Sequence, residues 1–251
     1  MELRNLFRLS SKLVHDGTTS EVQCPVAYET LQKNADTVLR NAEMARSPHQ
    51  KFTDALCKQS DLSPENCAIM GPPKERKRLI EKAVARYDGD VFQVSDATRS
   101  RILIDSPKEV KIIKDAVLSP DFMKQFSERG INILSIENFF ETPTETKWRA
   151  LVIKTEIDIG KGRTQKAETV IMPRGWVDEY ETTHTYLANI RSLKDRAKAQ
   201  DRDLSRDEKI VVDKYTEMAK NIHIKLAAQD GYLGLENQSN KKKDYLRLVV
   251  R

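Results

Sequence analysis

One stretch near the middle of the chain, residues 95–105, constrains the fold more than any other part of the sequence. Its first half is polar and carries Asp96, Arg99 and Arg101, whereas residues 102–104 are apolar. This change predicts a loop that leads directly into a buried β-strand. A carboxylate at the mouth of a buried strand, with guanidinium groups beside it, suits a metal ion and phosphate groups. A surface loop with solvated charges would give the same pattern.

The segment before this stretch predicts a helix with one basic side. Residues 71–73 are Gly-Pro-Pro, which breaks the chain, and residues 74–87 place their apolar side chains on one helical face. Lys74, Arg78 and Lys82 recur every four residues on the opposite face. A stripe of this kind is normally the solvated side of an amphipathic helix. It binds phosphates only where another element forms a cleft over it.

The segment after this stretch predicts further strands. Residues 147–159 alternate between apolar and polar side chains, which is typical of a strand in a sheet. Residues 160–163 contain two glycines and can form a hairpin turn, after which residues 167–172 return as a second strand. The sequence therefore predicts a β-hairpin in the second half of the sheet.

Three carboxylates in this hairpin are candidates for a site. Glu168 lies among apolar residues on a short strand, so its side chain must face water, a partner or a site. An antiparallel arrangement of neighbouring strands would bring Glu168 close to Asp96. Glu156 and Asp158 share the predicted strand face of Trp148 and are the alternative carboxylates.

The complete pattern predicts an α+β fold, with a small mixed or antiparallel sheet flanked by helices and with helical N- and C-terminal extensions. Ser106 with Glu109 and Ser205 with Glu208 have the spacing of capping boxes, so a helix should begin at each pair. Strands are expected near residues 102–105, 131–140, 147–159, 167–172 and 245–250. Helices are expected over residues 1–16, 25–46, 49–59, 74–87, 107–118, 176–195 and 205–228, with others that begin near residues 64 and 120.

The composition limits the classes of protein to which the chain can belong. Its 251 residues carry a formal net charge of +5, from 43 Lys and Arg against 38 Asp and Glu. This mildly basic balance is compatible with a polyanionic partner such as a nucleotide or RNA. The three cysteines have no C-x-x-C spacing, so neither a zinc site nor a disulfide framework is expected.

The sequence also bears on the location of the protein. No apolar run reaches the ~18 residues that a membrane span requires. Residues 1–14 lack the apolar core of a secretory signal peptide. We therefore expect a cytoplasmic protein without a membrane partner, while delivery to another cell by a specialised secretion system stays open.

Four segments, taken in order, resemble the motifs of the RelA/SpoT-like nucleotide pyrophosphokinases. These segments are residues 71–82, 96–101, 148–151 and 168–171, within a region of resemblance over about residues 71–191. The resemblance implies a nucleotidyltransferase-like catalytic domain over residues 71–195. A helical segment at residues 1–70 would precede this domain, and a helical segment and tail at residues 196–251 would follow it.

The resemblance implies roles for individual residues. Asp96 stands where the family binds magnesium, and Glu168 stands in the position of the family's Glu-x-Gln motif. Both would be catalytic residues and metal ligands, with Mg²⁺ as the cofactor, and Glu168 would complete the metal site or act as general base. His184 is a further candidate. The implied nucleotide-binding residues are Lys74, Arg78, Lys82, Arg99, Arg101, Trp148 and Arg149, with Trp148 in the place of a tyrosine that stacks on the acceptor base.

The chain departs from the family motifs at four positions. Arg99 replaces a small Gly or Ala, and Lys147 replaces a Gly. Val152 stands in place of a His, and Val170 stands in place of a Gln. The motifs for the donor nucleotide are therefore better kept than those for the acceptor. This difference implies either a different acceptor or a loss of activity.

The leading hypothesis is an enzyme that transfers pyrophosphate from ATP to a 3′-hydroxyl group with the help of magnesium. Its acceptor would be a guanine nucleotide, an adenine nucleotide or tRNA, as in an alarmone synthetase or a toxin. A neutralising or regulatory protein would be a further partner. The alternative is a catalytically degenerate member of the same fold that binds a nucleotide, RNA or a protein. A helical scaffold without a nucleotide site is the third hypothesis.

Overall fold

The computed structural model of the protein describes residues 25–63, residue 67 and residues 69–238. The helix predicted over residues 1–16, the helix start predicted at residues 64–65 and the strand predicted over residues 245–250 lie outside the described residues. Within the described ranges, no helix has both the length and the apolar character needed to cross a membrane.

The first helix, α1 (Pro25–Gln59), is a continuous element of 35 residues. The prediction of two helices separated at Pro48 is therefore wrong. Ala45, Phe52 and Leu56 are fully buried on a face that continues past Pro48. A proline inside a helix costs about 3 kcal/mol, whereas burial of one large apolar side chain contributes about 1.5–3 kcal/mol. Burial of several side chains along α1 outweighs the interruption.

A mixed sheet forms the centre of the fold, and the predicted α+β class is confirmed. Its strands within the described residues are β1 (Ile69–Met70), β2 (Thr98–Ile104), β3 (Ile131–Asn138), β4 (Leu151–Asp158) and β5 (Thr164–Pro173). The sheet has the strand order β1-β2-β5-β4-β3, in which β2 and β5 are parallel and the other neighbours are antiparallel.

Five further helices connect and cover the strands in the described part of the chain. Both predicted capping boxes form, at Ser106 with Glu109 and at Ser205 with Glu208. The helices are α2 (Arg76–Arg86), α3 (Pro107–Val117), α4 (Pro120–Ser127), α5 (Val177–Ala199) and α6 (Arg206–Gln229).

The pairing of β2 with β5 differs from the prediction. Asp96 and Glu168 were expected to meet through antiparallel strands, but β2 and β5 run parallel, with Arg99 opposite Glu168. The chain leaves β2 through α3 and α4 and returns through the antiparallel pairs β3–β4 and β4–β5. β4 runs opposite to β3, and β5 runs opposite to β4. As a result, β5 runs in the same direction as β2. Asp96 precedes β2 by two residues and lies at the start of this parallel pair.

The two faces of the sheet have different surroundings. On the covered face, Thr98 Oγ1 donates a hydrogen bond of 3.0 Å to the Ala42 carbonyl of α1. On the open face, Arg99 and Arg101 of β2 are only half-buried. Paired residues of neighbouring strands share a face, so Glu168 lies on the open face with Arg99.

A buried polar trio fixes α1 behind the open face. His49 Nε2 lies 2.9 Å from Ser100 Oγ, which lies 3.0 Å from Thr169 Oγ1. His49 and Thr169 are fully buried, and Ser100 is 3% exposed. Burial lowers the pKa of His49 to about 4, so its ring is neutral at physiological pH. The trio joins α1 to β2 and β5 directly behind Arg99 and Glu168.

The stability of the fold should depend on His49 at mildly acidic pH. The unfolded chain binds a proton on His49 near the ordinary pKa of 6.5, whereas the folded chain does so only near pH 4. The stabilisation that the neutral His49 ring contributes is therefore complete above pH 6.5 and is lost as the pH falls to about 4. His49→Leu should remove about 3 kcal/mol from the pH dependence of the unfolding free energy over this interval, as measured by urea denaturation.

Phe52→Leu is the matched control for this experiment. It disturbs the same core beside His49 but removes no titrating group, so it should lower the stability and keep the wild-type pH dependence. A His49→Leu protein with the full wild-type dependence would contradict the assignment.

Candidate active site

Asp96 and two lysines form a partly buried ionic cluster, called here the Asp96 cluster. Asp96 lies in the short turn Ser95–Ala97, directly before β2. Its Oδ2 atom is 2.7 Å from Lys74 Nζ, and its Oδ1 atom is 2.9 Å from Lys82 Nζ. The exposed fraction of the side chain is 16% for Asp96, 11% for Lys74 and 19% for Lys82. Three residues proposed from distant motifs therefore meet at one point.

Apolar packing beneath α2 brings this cluster together. Leu79 and Ala83 of α2 are fully buried. They pack with Val94 and Ala97, the apolar residues that flank Asp96 in the sequence. Because Lys82 is adjacent to Ala83 on the helix, its ammonium group is held over the turn that carries Asp96.

The remaining member of the predicted basic stripe behaves differently. Lys74 precedes α2 and Lys82 lies on it, and both reach Asp96. The Arg78 side chain is 67% exposed and lies 3.6 Å from Glu81 on the same helix. Arg78 therefore stands at the rim, where a ligand could attract it at little cost because exposed ion pairs are weak.

The charges of the Asp96 cluster stabilise one another. Burial alone would raise the pKa of Asp96, but the ammonium groups of Lys82 and Lys74 outweigh this effect and hold the pKa to about 2. Burial lowers the pKa of Lys74, and the charge of Asp96 partly offsets this change. Asp96 is therefore an ionised carboxylate at physiological pH, with one cation on each oxygen.

Glu168 lies beside this cluster on the open face of the sheet. It is paired in register with Arg99 of β2 and Lys154 of β4. Ser95 Oγ donates a hydrogen bond of 3.3 Å to Glu168 Oε2. Burial, together with the charge of Asp96, raises the pKa of Glu168. Two neighbouring carboxylates thus have pKa values shifted in opposite directions, a pattern typical of acid–base sites.

Arg99 and Arg101 extend from β2 into different surroundings. The Arg99 side chain covers Gly71, where an added Cβ atom would lie 2.7 Å from Arg99 Cγ. Residue 71 must therefore be a glycine if Arg99 is to keep this position. The Arg101 guanidinium lies 5.1 Å from the centre of the Tyr180 ring, a cation–π contact that connects β2 to α5.

His184 lies one turn beyond Tyr180 on α5. The two ring centres are 5.6 Å apart, and the His184 side chain is exposed. Partial burial and the charge of Arg191 lower the pKa of His184. Arg191 is close enough to Asp96 for their charges to interact. The candidate His184 thus stands at the α5 side of the site, and its predicted role stays a prediction.

The loop before β4 departs from the predicted strand. β4 begins at Leu151, so the strand predicted over residues 147–150 is wrong. Lys147 has a φ of 61°, and its N–H group donates a hydrogen bond of 2.8 Å to the Thr144 carbonyl. A left-handed residue in a tight turn cannot continue a strand. Trp148 is therefore placed by the loop rather than by the alternation of β4.

Trp148 and Arg149 are both packed into the protein in this loop. The Trp148 ring centre lies 5.4 Å from that of Phe139. Arg149 is 1% exposed, and its Nη1 atom donates a hydrogen bond of 3.0 Å to the Lys147 carbonyl. The nucleotide-binding roles proposed for Trp148 and Arg149 remain predictions.

The two alternative carboxylates have other surroundings. Asp158 Oδ1 accepts a hydrogen bond of 2.7 Å from the Gly160 N–H group and so supports the hairpin turn. Glu156 is paired in register with Lys166 on β5 and lies two residues beyond Lys154 along β4. Glu168 is therefore the carboxylate of this hairpin that lies at the Asp96 cluster.

Several residues at the site were not proposed from the sequence. Ser95, Lys154 and Arg191 contact or influence the two carboxylates. For Lys154 a signal existed, because the hairpin turn at residues 160–163 fixes which residue of β4 lies opposite Glu168. For Arg191 there is no local signal, since its position depends on how α5 packs.

The carboxylates of Asp96 and Glu168 fit a magnesium ion. Burial and, after it, the charge of Asp96 raise the pKa of Glu168, so the two carboxylates lie within electrostatic range of each other. Magnesium commonly takes one or two carboxylates and completes its shell with water and substrate phosphates. Within residues 25–63, 67 and 69–238, no three His, Cys, Asp or Glu side chains converge as a closed metal site.

Comparisons with known proteins give structural similarity without sequence similarity. No protein-family model and no curated protein matches the sequence. The chain is similar in structure to small alarmone synthetases. For small alarmone synthetase 1 from Bacillus subtilis, bound to its product pppGpp, the identity is 12%, the match covers 80% of this chain and 99% of that chain, and the TM-score is 0.49.

Two further solved structures are similar to a comparable degree. A GTP pyrophosphokinase family protein from Streptococcus pneumoniae has 13% identity, with coverage of 85% of this chain and 98% of that one and a TM-score of 0.44. The Type VI effector Tas1, in complex with its immunity protein, has 13% identity, with coverage of 82% and 100% and a TM-score of 0.41. These similarities concern the course of the chain alone.

Substitutions at the two carboxylates should change the stability in opposite directions. Asp96→Asn removes the partner of Lys74 and Lys82 in a partly buried site, so the unfolding free energy at pH 7 should fall by about 2 kcal/mol. Glu168→Gln removes a partly buried carboxylate whose pKa is raised, so the unfolding free energy should increase. Urea denaturation at pH 7 measures both changes, with the exposed Asp115→Asn as a neutral control.

The pH dependence of these variants follows from the same shifts. The stabilisation from Asp96 is present above the ordinary pKa of 3.8 and is lost as the pH falls to about 2, so the wild-type and Asp96→Asn curves should converge there. The stabilisation from protonated Glu168 is instead present at low pH and is lost as the pH rises through its raised pKa. Stability changes of the same sign in both variants would contradict this description of the site.

Proposed function

We propose that the protein transfers a pyrophosphate group from ATP to a 3′-hydroxyl group in a magnesium-dependent reaction. The observation that carries the proposal is the convergence of Lys74 and Lys82 on Asp96, with Glu168 beside them. Transfer of a phosphoryl-type group needs alignment, positive charge around the phosphates and a metal ion rather than elaborate covalent chemistry. The Asp96 cluster combines cations for the phosphates with carboxylates for the metal.

The donor side of the proposed site is the region around α2. Lys74 and Lys82 bind the phosphates of ATP and exchange their contact with Asp96 for contacts with phosphate oxygens. Arg78, exposed at the rim, and Arg101, on the open face, add donors that can bind phosphate bidentately. When bound, Mg²⁺ would neutralise the donor phosphates; Asp96 would hold it, and Glu168 would complete the metal site only where it does not act as the general base.

In the proposed reaction, the 3′-oxygen of the acceptor forms a bond to the β-phosphorus of ATP. The bond between this phosphorus and the α,β-bridging oxygen breaks, so AMP leaves. Glu168 accepts the proton of the 3′-hydroxyl, and its raised pKa favours this role. Ser95 orients the Glu168 carboxylate through its hydrogen bond.

The acceptor is a guanine nucleotide, an adenine nucleotide or the 3′ end of a tRNA. Trp148 and Arg149 stand on the acceptor side, where Val152 and Val170 replace polar residues of the similar motifs. A neutralising or regulatory protein is a further partner in this proposal. The protein would act in the cytoplasm, of its own cell or of another cell that it reaches by a specialised secretion system.

Residues 71–195 are the catalytic domain in this proposal, with residues 1–70 and 196–251 as helical flanking segments. The described parts of the flanking segments share one hydrophobic core with the sheet. Phe52 of α1 and Leu226 of α6 both belong to the core that contains Ile102 and Ile171. The flanking helices therefore support the proposed site rather than stand apart from it.

A second candidate is a catalytically inactive protein of the same fold that binds a nucleotide, RNA or another protein. The position of Arg99 favours this candidate. The similar motif has a small residue at position 99, whereas the Arg99 side chain fills the space above Gly71. In that case the Asp96 cluster would bind phosphate groups without transferring them.

A labelling experiment separates the two candidates. ATP labelled at the γ-phosphate, with Mg²⁺, is incubated with the protein and with separate pools of guanine nucleotides, adenine nucleotides and tRNA. We expect label to move to one pool with the release of AMP. Asp96→Asn and Glu168→Gln should each lower the rate by about 100-fold or more, whereas Asp115→Asn, an exposed carboxylate on α3, should retain it.

The outcomes that contradict the proposal are specific. Transfer to none of the pools by the folded wild-type protein would reject the enzymatic function and leave the second candidate. Transfer that persists in both carboxylate variants would reject the site but not the reaction.

A further inference from the structure

The Glu168 carboxylate lies between two cations in a row of in-register residues on the open face of the sheet. Arg99 of β2 is its partner on one side, and Lys154 of β4 is its partner on the other. Directly opposed residues of antiparallel strands have Cβ atoms about 4.5–5.5 Å apart, and opposite charges in such positions attract each other. The register alone would therefore place an ammonium group on Glu168.

Neither cation forms an ion pair with Glu168 in the described part of the chain. The Arg99 side chain lies across Gly71. The Lys154 ammonium group is bound instead to Glu137 of β3, with 2.6 Å between Lys154 Nζ and Glu137 Oε1. Lys154 is nevertheless close enough to Glu168 for their charges to interact. Because lysine has a flexible four-carbon stem, its ammonium group can reach Glu168 once Glu137 releases it.

A β-bulge in β3 directs Glu137 towards Lys154. One extra residue, Leu134, shifts the register so that Glu137 lies opposite Val152, on the same face as Lys154. Without the extra residue, Glu137 would lie opposite Leu151, whose side chain is fully buried on the covered face. The bulge therefore moves the Glu137 carboxylate to the open face, diagonally across from Lys154.

Stability alone does not account for this contact. The exposed fraction of the side chain is 30% for Lys154 and 34% for Glu137, and ion pairs with such exposure contribute little to stability. Bulges next to functional sites commonly redirect a single side chain. The contact does change the surroundings of Glu168, because it keeps a competing cation off that carboxylate.

We propose that Glu137 is a positioning residue that holds the Lys154 ammonium group away from Glu168, which leaves the Glu168 carboxylate open to the acceptor. The inference rests on the proposed function, in which Glu168 meets the 3′-hydroxyl group. An ammonium group bound to Glu168 would occupy the oxygens that this hydroxyl group needs. Glu137 acts through Lys154 and does not itself contact the acceptor.

Glu137→Met tests the holding contact, since methionine has a similar length and no oxygen for the ammonium group. Combining Glu137→Met with Lys154→Met removes the released cation as well. Glu141→Met is the matched control. Its carboxylate binds Lys114 of α3 at 2.8 Å with a similar exposure, and Lys114 is not a strand neighbour of Glu168.

The first measurement needs no enzymatic activity. Lys154→Met and Glu168→Gln are combined in a double-mutant cycle, with the unfolding equilibrium constant measured by urea denaturation at pH 8. With Glu137 present, the two effects should nearly multiply, because Lys154 is held elsewhere. In the Glu137→Met background, the combined effect should differ from the product by about threefold, because Lys154 then pairs with Glu168.

The second measurement is the transfer of label from ATP. Glu137→Met should lower kcat about tenfold with little change in the KM for ATP, because the obstructed group is Glu168 rather than the donor site. The additional Lys154→Met substitution should restore most of the lost kcat, which a merely structural role of Glu137 would not produce. Glu141→Met should behave like the wild-type protein.

The results that overturn the inference can be told apart. Equal coupling of Lys154 with Glu168 in both backgrounds would mean that Glu137 does not hold the lysine. An unchanged kcat in Glu137→Met, or a low kcat that Lys154→Met fails to restore, rejects the positioning role and leaves the proposed function intact. Absence of transfer by the wild-type protein rejects the proposed function, and the positioning role with it.

Discussion

The contact of two ammonium groups with the carboxylate of Asp96 is the interaction on which the rest of the candidate site depends. Lys74 and Lys82 come from either side of the start of α2, and Asp96 comes from the turn before β2. Apolar packing between α2 and that turn brings the two ammonium groups and the carboxylate into a partly buried space. The lysines compensate the charge of Asp96; in the proposed reaction, phosphate groups and a metal ion would take their places.

The same contact explains why the two carboxylates of the site behave differently. Asp96 has a lysine at each oxygen, and its pKa is held to about 2. Glu168 is partly buried and lies next to the negative charge of Asp96, and its pKa is raised. One group is therefore suited to hold a cation and the other to take up a proton. The trio of His49, Ser100 and Thr169 keeps the two strands in register behind them.

Local signals in the sequence predicted much of this arrangement, and non-local contacts decided the rest. The capping boxes at Ser106 and Ser205 and the hairpin after β4 depend on neighbouring residues, so the sequence predicts them correctly. The parallel pairing of β2 with β5 depends on the path through β3 and β4, which no local pattern reveals. The loop position of Trp148 depends on a left-handed residue at Lys147.

The most direct measurement of the central claim is the affinity of a non-hydrolysable ATP analogue, determined by calorimetry with and without Mg²⁺. If Asp96 exchanges its lysines for a metal when the phosphates bind, Mg²⁺ should tighten binding to the wild-type protein. The Asp96→Asn protein should then bind with little dependence on Mg²⁺. Equal affinity of the wild-type protein with and without Mg²⁺, or a full Mg²⁺ dependence in Asp96→Asn, would contradict the account.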